Sequence, residues 1–343
     1  MKKRVISTLL VGAMVFSLAG CGTKQEAEPE APAPAETTEK ADGDAAAEET
    51  ADIAWPEKTI NIICPFSAGG DTDFNARLYA EKLTEILGVN CIVTNVTGNG
   101  GATGAQQVFD SEPDGNTVLF YHDALYVNNV TGATEFGMDG FELACVAGKN
   151  AGNVVCVSAK SEYEPLEDLV EASKNGNVTF ASNVGATTHV MGAMLNAAGA
   201  NFNLVDMGNA SDRIAALMGG QCDAIPNPLG STQQYLDSGD FRALCLLEEE
   251  RNENYPDIPT AKELGYDASF PIYYFFAFPD GTDQAIVDKF ADACEQVFNM
   301  KEIQQAQFES YSQSPFFAKG EEAIALEKEQ QASVEALRDM LNQ

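Results

Sequence analysis

The chain has 343 residues, of which 45% are hydrophobic and 21% are charged, and its formal net charge is −32 at pH 7. This length accommodates one large domain or two linked lobes. So large a negative charge excludes nucleic acid as a partner, because phosphates require a basic surface.

The N-terminus has the pattern of an export signal. Basic residues 2–4 precede an apolar run too short to span a bilayer, and this run closes with Leu18-Ala19-Gly20-Cys21. The ending resembles the lipobox of bacterial lipoproteins, which implies removal of residues 1–20 and attachment of acyl chains such as palmitate at Cys21. We therefore expect a lipid anchor in the cell membrane, on its extracytoplasmic side. An ordinary secretory signal with a chance cysteine is the alternative.

The next segment, residues 21–54, is predicted to be the acylated cysteine followed by a disordered acidic linker. Residues 22–54 contain ten acidic residues, two lysines and many alanines. Such a segment buries too little apolar surface to fold, and charge repulsion extends it.

Beyond the linker, short β-rich runs alternate with amphipathic stretches, the pattern of an α/β protein with mainly parallel sheets. We predict strands at 60–64, 91–94, 117–121, 154–158, 178–181, 203–206, 224–226, 243–247 and 272–278. Helices are predicted over 74–86, from about 102, and over 284–298 and 321–341.

Seven cysteines follow Cys21, most of them inside apolar strand-like runs. An odd number cannot pair completely within one chain, so we predict buried free thiols. No two cysteines have C-x-x-C spacing and the chain has two histidines, so we expect no metal and no cofactor.

Three loops, at 65–73, 96–104 and 183–189, each leave a strand, contain small residues and enter a helix. Glycine lets a ligand approach backbone N–H groups closely, and helix N-termini favour anions. Three such loops on successive units favour a binding site at the strand ends. The alternative is that the glycines only form tight turns.

Enzyme motifs are absent from the sequence: it has no G-x-S-x-G, Walker or H-E-x-x-H pattern. His122 and Asp123 adjoin at the end of the strand predicted at 117–121, and because neighbours on a strand point to opposite faces, we expect that they do not form a catalytic pair. His189 is expected to cap a helix or line the site. We predict a binding protein that is not an enzyme.

A set of motifs follows in a fixed order along residues 55–343. They are Trp55-Pro56, Pro65-Phe66 with Gly69-Gly70, Asn95 with the glycines up to Gly104, Pro113-Asp114-Gly115, Thr188-His189, Gly219-Gly220 and Tyr255-Pro256-Asp257. In this order they resemble the substrate-binding proteins of tripartite tricarboxylate transporters, the Bug receptors.

The resemblance implies an α/β, two-lobed, periplasmic-binding-protein-like fold of type II character with a ligand cleft between the lobes. Residues 55–155 plus 275–343 would form lobe one, and residues 156–274 would form lobe two. The protein would capture a small carboxylated solute and deliver it to the membrane permease subunits of a tripartite tricarboxylate transporter. The alternative is a ligand-sensing receptor of the same fold that acts in signalling.

The resemblance also implies that loops from both lobes hold the carboxylate through backbone and hydroxyl groups. The candidate ligand-binding residues are Ser67, Ala68, Gly69, Gly70, Asp71, Thr72 and Asp73 in the first loop, Gly185, Ala186, Thr187 and Thr188 in the second, and His122, Asp123, Asn183 and Asn227 at strand ends.

Asp71 departs from the family pattern, which usually has a small neutral residue at this position. If its side chain points into the cleft, it would repel a second carboxylate and attract an amino group. If it points outward, it only favours the N-terminus of the helix that begins near Asp73. The sequence leaves both orientations open.

Acylation of Cys21 predicts that Cys21→Ala releases the protein from membranes, because the thiol that carries the lipid is lost. Fractionation of cells followed by immunoblotting measures the distribution. A variant that sediments with membranes to the same extent as the wild type would contradict the lipobox interpretation.

Overall fold

The computed structural model describes residues 53–342, so the predicted signal peptide, Cys21 and nearly all of the acidic linker lie outside it. Within this range the strands are, in chain order, β1 (Ile60–Cys64), β2 (Cys91–Asn95), β3 (Thr117–His122), β4 (Phe141–Lys149), β5 (Asn153–Ser158), β6 (Thr179–Ser182), β7 (Asn203–Asp206), β8 (Ala224–Pro228), β9 (Phe241–Leu246), β10 (Tyr273–Pro279) and β11 (Ala318–Lys319).

The helices of the same range connect most of these strands. They are α1 (Asp71–Leu87), α2 (Ala102–Phe109), α3 (Ala124–Val130), α4 (Leu166–Ser173), α5 (Thr187–Ala197), α6 (Ala210–Met218), α7 (Leu229–Asp237), α8 (Gln284–Phe298), α9 (Lys301–Tyr311), α10 (Gly320–Glu335) and α11 (Arg338–Leu341). The predicted helix at 321–341 is thus divided, and α9 is absent from the predicted elements.

Helix α1 illustrates how the sequence determines an element. Its buried side chains Ala76, Tyr79, Ala80 and Leu83 recur at helical spacing and form one apolar face. The helix ends at Leu87, and the capping residue Gly88 adopts a left-handed conformation (φ 72°) and donates its N–H to the Thr84 carbonyl.

Two mixed sheets organise the described residues. The first has the strand order β11-β4-β10-β3-β1-β2, and the second has the order β7-β6-β8-β5-β9. β1 is parallel to β2 and β3, and β6 is parallel to β7 and β8. The strands β10 and β5 run antiparallel to both of their neighbours. The prediction of mainly parallel sheets is therefore wrong, because the strands that follow each passage between the sheets insert in the opposite direction.

The chain passes between the sheets twice. Residues 150–152 connect β4 to β5, and the return passage runs from the end of β9 to the start of β10. The boundaries expected from the sequence, 155/156 and 274/275, fall within β5 and β10.

All nine predicted strands are present, with ends that differ by two residues or fewer. The sequence does not predict β4, whose only β-branched residue is Val146. Its pairing with β10 on one side and β11 on the other stabilises it as a strand.

The interior is rich in aromatic side chains. All seven residues of β10 are buried, and Phe276 and Phe278 both pack against the Phe290 ring with centroids 5.1 Å apart.

The seven cysteines of the described range are buried and free, which confirms their prediction as buried thiols.

Elements of the two sheets meet at Asn128 and Gly185. Asn128 on α3 is fully buried, and its Nδ2 donates to the Gly185 carbonyl over 2.9 Å, while its Oδ1 accepts from the Tyr121 hydroxyl over 2.7 Å. Gly100 lies at the same contact, where an added Cβ would come within 2.8 Å of the Gly185 carbonyl oxygen. The close approach therefore requires a glycine at position 100.

The two sheets and the helices that pack on them form two halves of the structure. We expect Gly100→Ala to hold these two halves apart. Gly132→Ala is the matched control, because Gly132 also has a positive φ (75° against 63°) but open space around its Cβ position. Both variants should lose about 1 kcal/mol of stability through left-handed strain. Only Gly100→Ala should increase the radius of gyration in solution scattering. Equal radii for the two variants would contradict the role of the contact between Gly100 and Gly185 in holding the halves together.

Candidate functional site

A cavity of about 570 Å³ opens between loops of the two sheets. It lies beside the starts of three helices, α1 at Asp71, α5 at Thr187 and α6 at Ala210. The residues that cap α1 and α5 make no side-chain hydrogen bond to these helices, so both helix starts favour an anion at this position, whereas the Asn209 side chain already caps α6. All three loops that the sequence singles out contribute to its wall.

Eleven of the fifteen predicted ligand-binding residues line this cavity. They are Ser67, Ala68, Gly69, Gly70, Asp71, Thr72, His122, Asn183, Ala186, Thr187 and Thr188.

Two of the remaining four are carboxylates that lie outside the cavity wall and hydrogen-bond to other residues of the protein. Asp73 Oδ2 accepts from the Gly69 N–H at 2.9 Å and from Arg77 Nε at 3.0 Å, so this carboxylate stabilises the conformation of the first loop. Asp123 is fully buried, and its Oδ2 accepts from the Tyr273 N–H at 2.7 Å. Asp123 follows the last residue of β3 and is the N-cap of α3, with helical dihedral angles (φ −51°, ψ −11°), so its burial results from the turn into α3 and not from the alternation of strand faces.

Gly185 and Asn227 also lie outside the cavity wall. The Gly185 carbonyl accepts from Asn128 at the contact described above. Asn227 is fully buried, and its Oδ1 accepts from Arg213 Nε at 2.8 Å. Its contribution is to orient an arginine that does line the cavity.

That arginine, Arg213 on α6, is absent from the residues that the sequence predicts. It is only 4% exposed, and its Nη1 donates to the Gly208 carbonyl over 2.6 Å. Its Nη2 makes no hydrogen bond with the described residues. Burial lowers the pKa of Arg213 to about 10, so the group remains a cation at neutral pH. The available signal was the Asn209 and Asp212 capping box, which places Arg213 in the first turns of a helix.

Asn153, the first residue of β5, is a second lining residue that the sequence does not predict. It is fully buried, and neither its Nδ2 nor its Oδ1 has a hydrogen-bond partner within residues 53–342. Buried amides are normally paired, so this side chain is a candidate partner for a ligand group that reaches this part of the cavity wall.

The sequence left two orientations of the Asp71 side chain open, and in the structure it points into the cavity. Its Oδ2 accepts from the Tyr274 hydroxyl at 2.5 Å and from Asn150 Nδ2 at 3.0 Å, and its Oδ1 accepts from the Thr72 N–H at 2.9 Å. The carboxylate therefore lies in the cavity wall in a fixed position.

His122 lines the cavity as a neutral donor. Its ring stacks on Phe66 at a centroid distance of 4.7 Å, and its Nδ1 accepts from the Ala124 N–H at 3.2 Å. This bond assigns the ring proton to Nε2. Burial lowers the pKa of His122 to about 3, so the ring is uncharged at neutral pH.

Asp71 and Arg213 are thus the two charged side chains among the lining residues. Residues 53–342 contain no group of three or more His, Cys, Asp or Glu side chains that could hold a metal ion. In the same range, no helix has both the length and the apolar character needed to cross a membrane.

Comparison with known proteins gives a consistent result. Residues 75–339 match TctC, the tripartite tricarboxylate transporter family receptor. The chain is 28% identical over 242 residues to the protein BugT of Bordetella pertussis, which covers 68% of this chain and 74% of BugT.

Solved structures show the same two-lobed fold. MatC from Rhodopseudomonas palustris, solved with bound malate, has a TM-score of 0.73 at 21% identity and covers 84% of this chain and 100% of MatC. A second R. palustris protein, solved with adipate, has a TM-score of 0.75 at 18% identity over 84% of this chain and 98% of that protein.

His122 generates a prediction about stability. In the unfolded chain its pKa is near 6.5, whereas in the folded protein it is about 3, so the unfolded state binds more protons between these values. The contribution is complete above pH 6.5 and is lost as pH falls toward 3. His122→Gln should therefore reduce the slope of unfolding free energy with pH in this window, by up to about 1.4 kcal/mol per pH unit. Urea denaturation at several pH values measures the slope, and parallel curves for variant and wild type would contradict the buried neutral state.

Proposed function

The chain belongs to the tripartite tricarboxylate transporter receptor family, and from this premise we propose that it captures a small carboxylated solute in the cavity between its two sheets. It then delivers the solute to the permease subunits of a transporter of this type. The protein works outside the cytoplasmic membrane, held there by lipid at Cys21 and the acidic linker.

The buried Arg213 guanidinium is the observation that carries this proposal. Its Nη2 makes no hydrogen bond with residues 53–342, and the N-termini of α1 and α5, which lack a side-chain cap, lie in the same cavity wall. Planar guanidinium groups suit carboxylates, and helix N-termini add further donors. A carboxylate is the ligand group that can pair with the guanidinium and also accept hydrogen bonds from the helix N-termini.

Residues of both halves would then hold the ligand. The first half contributes the loop that contains Ser67 and Thr72, and the second contributes Thr187, Thr188 and Arg213. The malate and adipate found in the structural neighbours are both carboxylic acids, which supports the same ligand class here. Because residues of both halves form the cavity wall, we expect the halves to close around the ligand.

Binding occurs without chemical conversion in this proposal. The lining residues include neither a cysteine nor a second histidine beside the neutral His122. Among the lining residues, the imidazole and thiol groups that most often act as general bases or nucleophiles are therefore limited to the neutral His122.

We expect a bound carboxylate to raise the melting temperature, because a ligand selective for the folded state stabilises it by mass action. The test is a thermal-shift screen of malate, adipate and other small acids, followed by scattering to measure compaction. Recovery of each bound acid and analysis by NMR checks for conversion. Product at enzyme-like rates would contradict the proposal.

Arg213→Gln should weaken carboxylate binding by roughly tenfold or more, the effect of losing a hydrogen bond to a charged group. Arg242→Gln is the matched control, because Arg242 lies in β9 of the second sheet and donates to backbone carbonyls of Ala159, Ser161 and Tyr163 outside the cavity. Calorimetric titration of both variants measures the affinities. Equal losses in the two variants would indicate a structural effect and would remove Arg213 from the site.

A further inference from the structure

From the two charges of the cavity wall we infer that the site selects an acid that also carries an amino group over a dicarboxylic acid of the same length. This inference rests on the proposed capture of a carboxylated solute and names its chemical class. The two charged lining residues, Asp71 and Arg213, have opposite signs. A ligand with one carboxylate and one ammonium group matches this pair, whereas a dicarboxylate brings two negative charges to a wall with one cation.

The cationic side of the wall cannot balance a second carboxylate. Arg213 already experiences the negative charges of Asp212, Asp206 and Asp71, which oppose the lowering of its pKa. His122 is uncharged at neutral pH because burial lowers its pKa to about 3. Only one carboxylate of a ligand can therefore pair with a full positive charge in the cavity.

The anionic side is held ready by the protein. Tyr274 and Asn150 both donate to Asp71 Oδ2, so the carboxylate cannot rotate away without losing two hydrogen bonds. Its Oδ1 accepts one bond, from the Thr72 N–H, and an ionised carboxylate oxygen has capacity for another. An ammonium group of the ligand can occupy that remaining position.

Asn153 provides an independent observation that points the same way. Within residues 53–342 its buried amide lacks a partner at both Nδ2 and Oδ1, so a ligand must offer an acceptor and a donor to satisfy it. An ionised dicarboxylate has acceptors only and leaves Oδ1 unpaired, which costs free energy in a buried site. An amino acid has both groups.

The test is calorimetric titration of the wild-type protein with acids paired by carbon count: asparagine against succinate, and glutamine against glutarate. We expect at least tenfold tighter binding of the amino acid in at least one pair. Asp71→Asn keeps the size of the side chain and an acceptor for Tyr274, and it should reduce this ratio by tenfold or more. Asp283→Asn is the control, because Asp283 caps α8 through the Ala285 N–H and is not a lining residue.

The outcomes separate the two proposals. Tighter binding of the dicarboxylate in both pairs, or a ratio that Asp71→Asn leaves unchanged, would overturn the inference and leave the capture of a carboxylated solute intact. A wild-type protein that binds none of these four acids, and neither malate nor adipate, at millimolar concentration would overturn the proposed function itself. The wild-type comparison needs no substitution, so a variant that fails to fold does not remove the test.

Discussion

The hydrogen bonds that Tyr274 and Asn150 donate to Asp71 connect the ligand cavity to both passages of the chain between the sheets. Asn150 directly follows β4 in the first passage, and Tyr274 lies at the start of β10 after the second. Asn150 Nδ2 also lies 3.2 Å from the Tyr274 hydroxyl, so the three side chains form one network. The start of α1, and with it the first ligand loop, therefore depends on the relative orientation of the crossing segments.

Much of the fold follows from local sequence. Strands such as β1 and β5 are rich in Ile and Val, and the loops after parallel strands contain the small residues that a close ligand approach requires. β4 is different because its residues have weak strand preference and it forms through pairing with β10, more than 100 positions away along the chain. Such pairing is not visible in a local pattern.

The site shows the same division between local and long-range information. His122 lines the cavity and Asp123 is buried in the core, but Asp123 lies at the start of α3, so the alternation of strand faces expected from the sequence does not determine its direction. Arg213 and Asn153 belong to segments that read as an ordinary helix and an ordinary strand, and only the folded arrangement directs them to the ligand cavity. The orientation of Asp71 likewise depends on Tyr274, 203 positions away.

The buried thiols have a practical consequence. Burial raises the pKa of Cys64, Cys91 and Cys222 to about 11, so these thiols are protonated and shielded from reagents at neutral pH. The other four cysteines of residues 53–342 are buried as well. In a form that begins after Cys21, a single cysteine introduced on the surface of each half would be the reactive pair. Fluorophores attached there would report the distance between the halves and turn the protein into an optical sensor for its own solute.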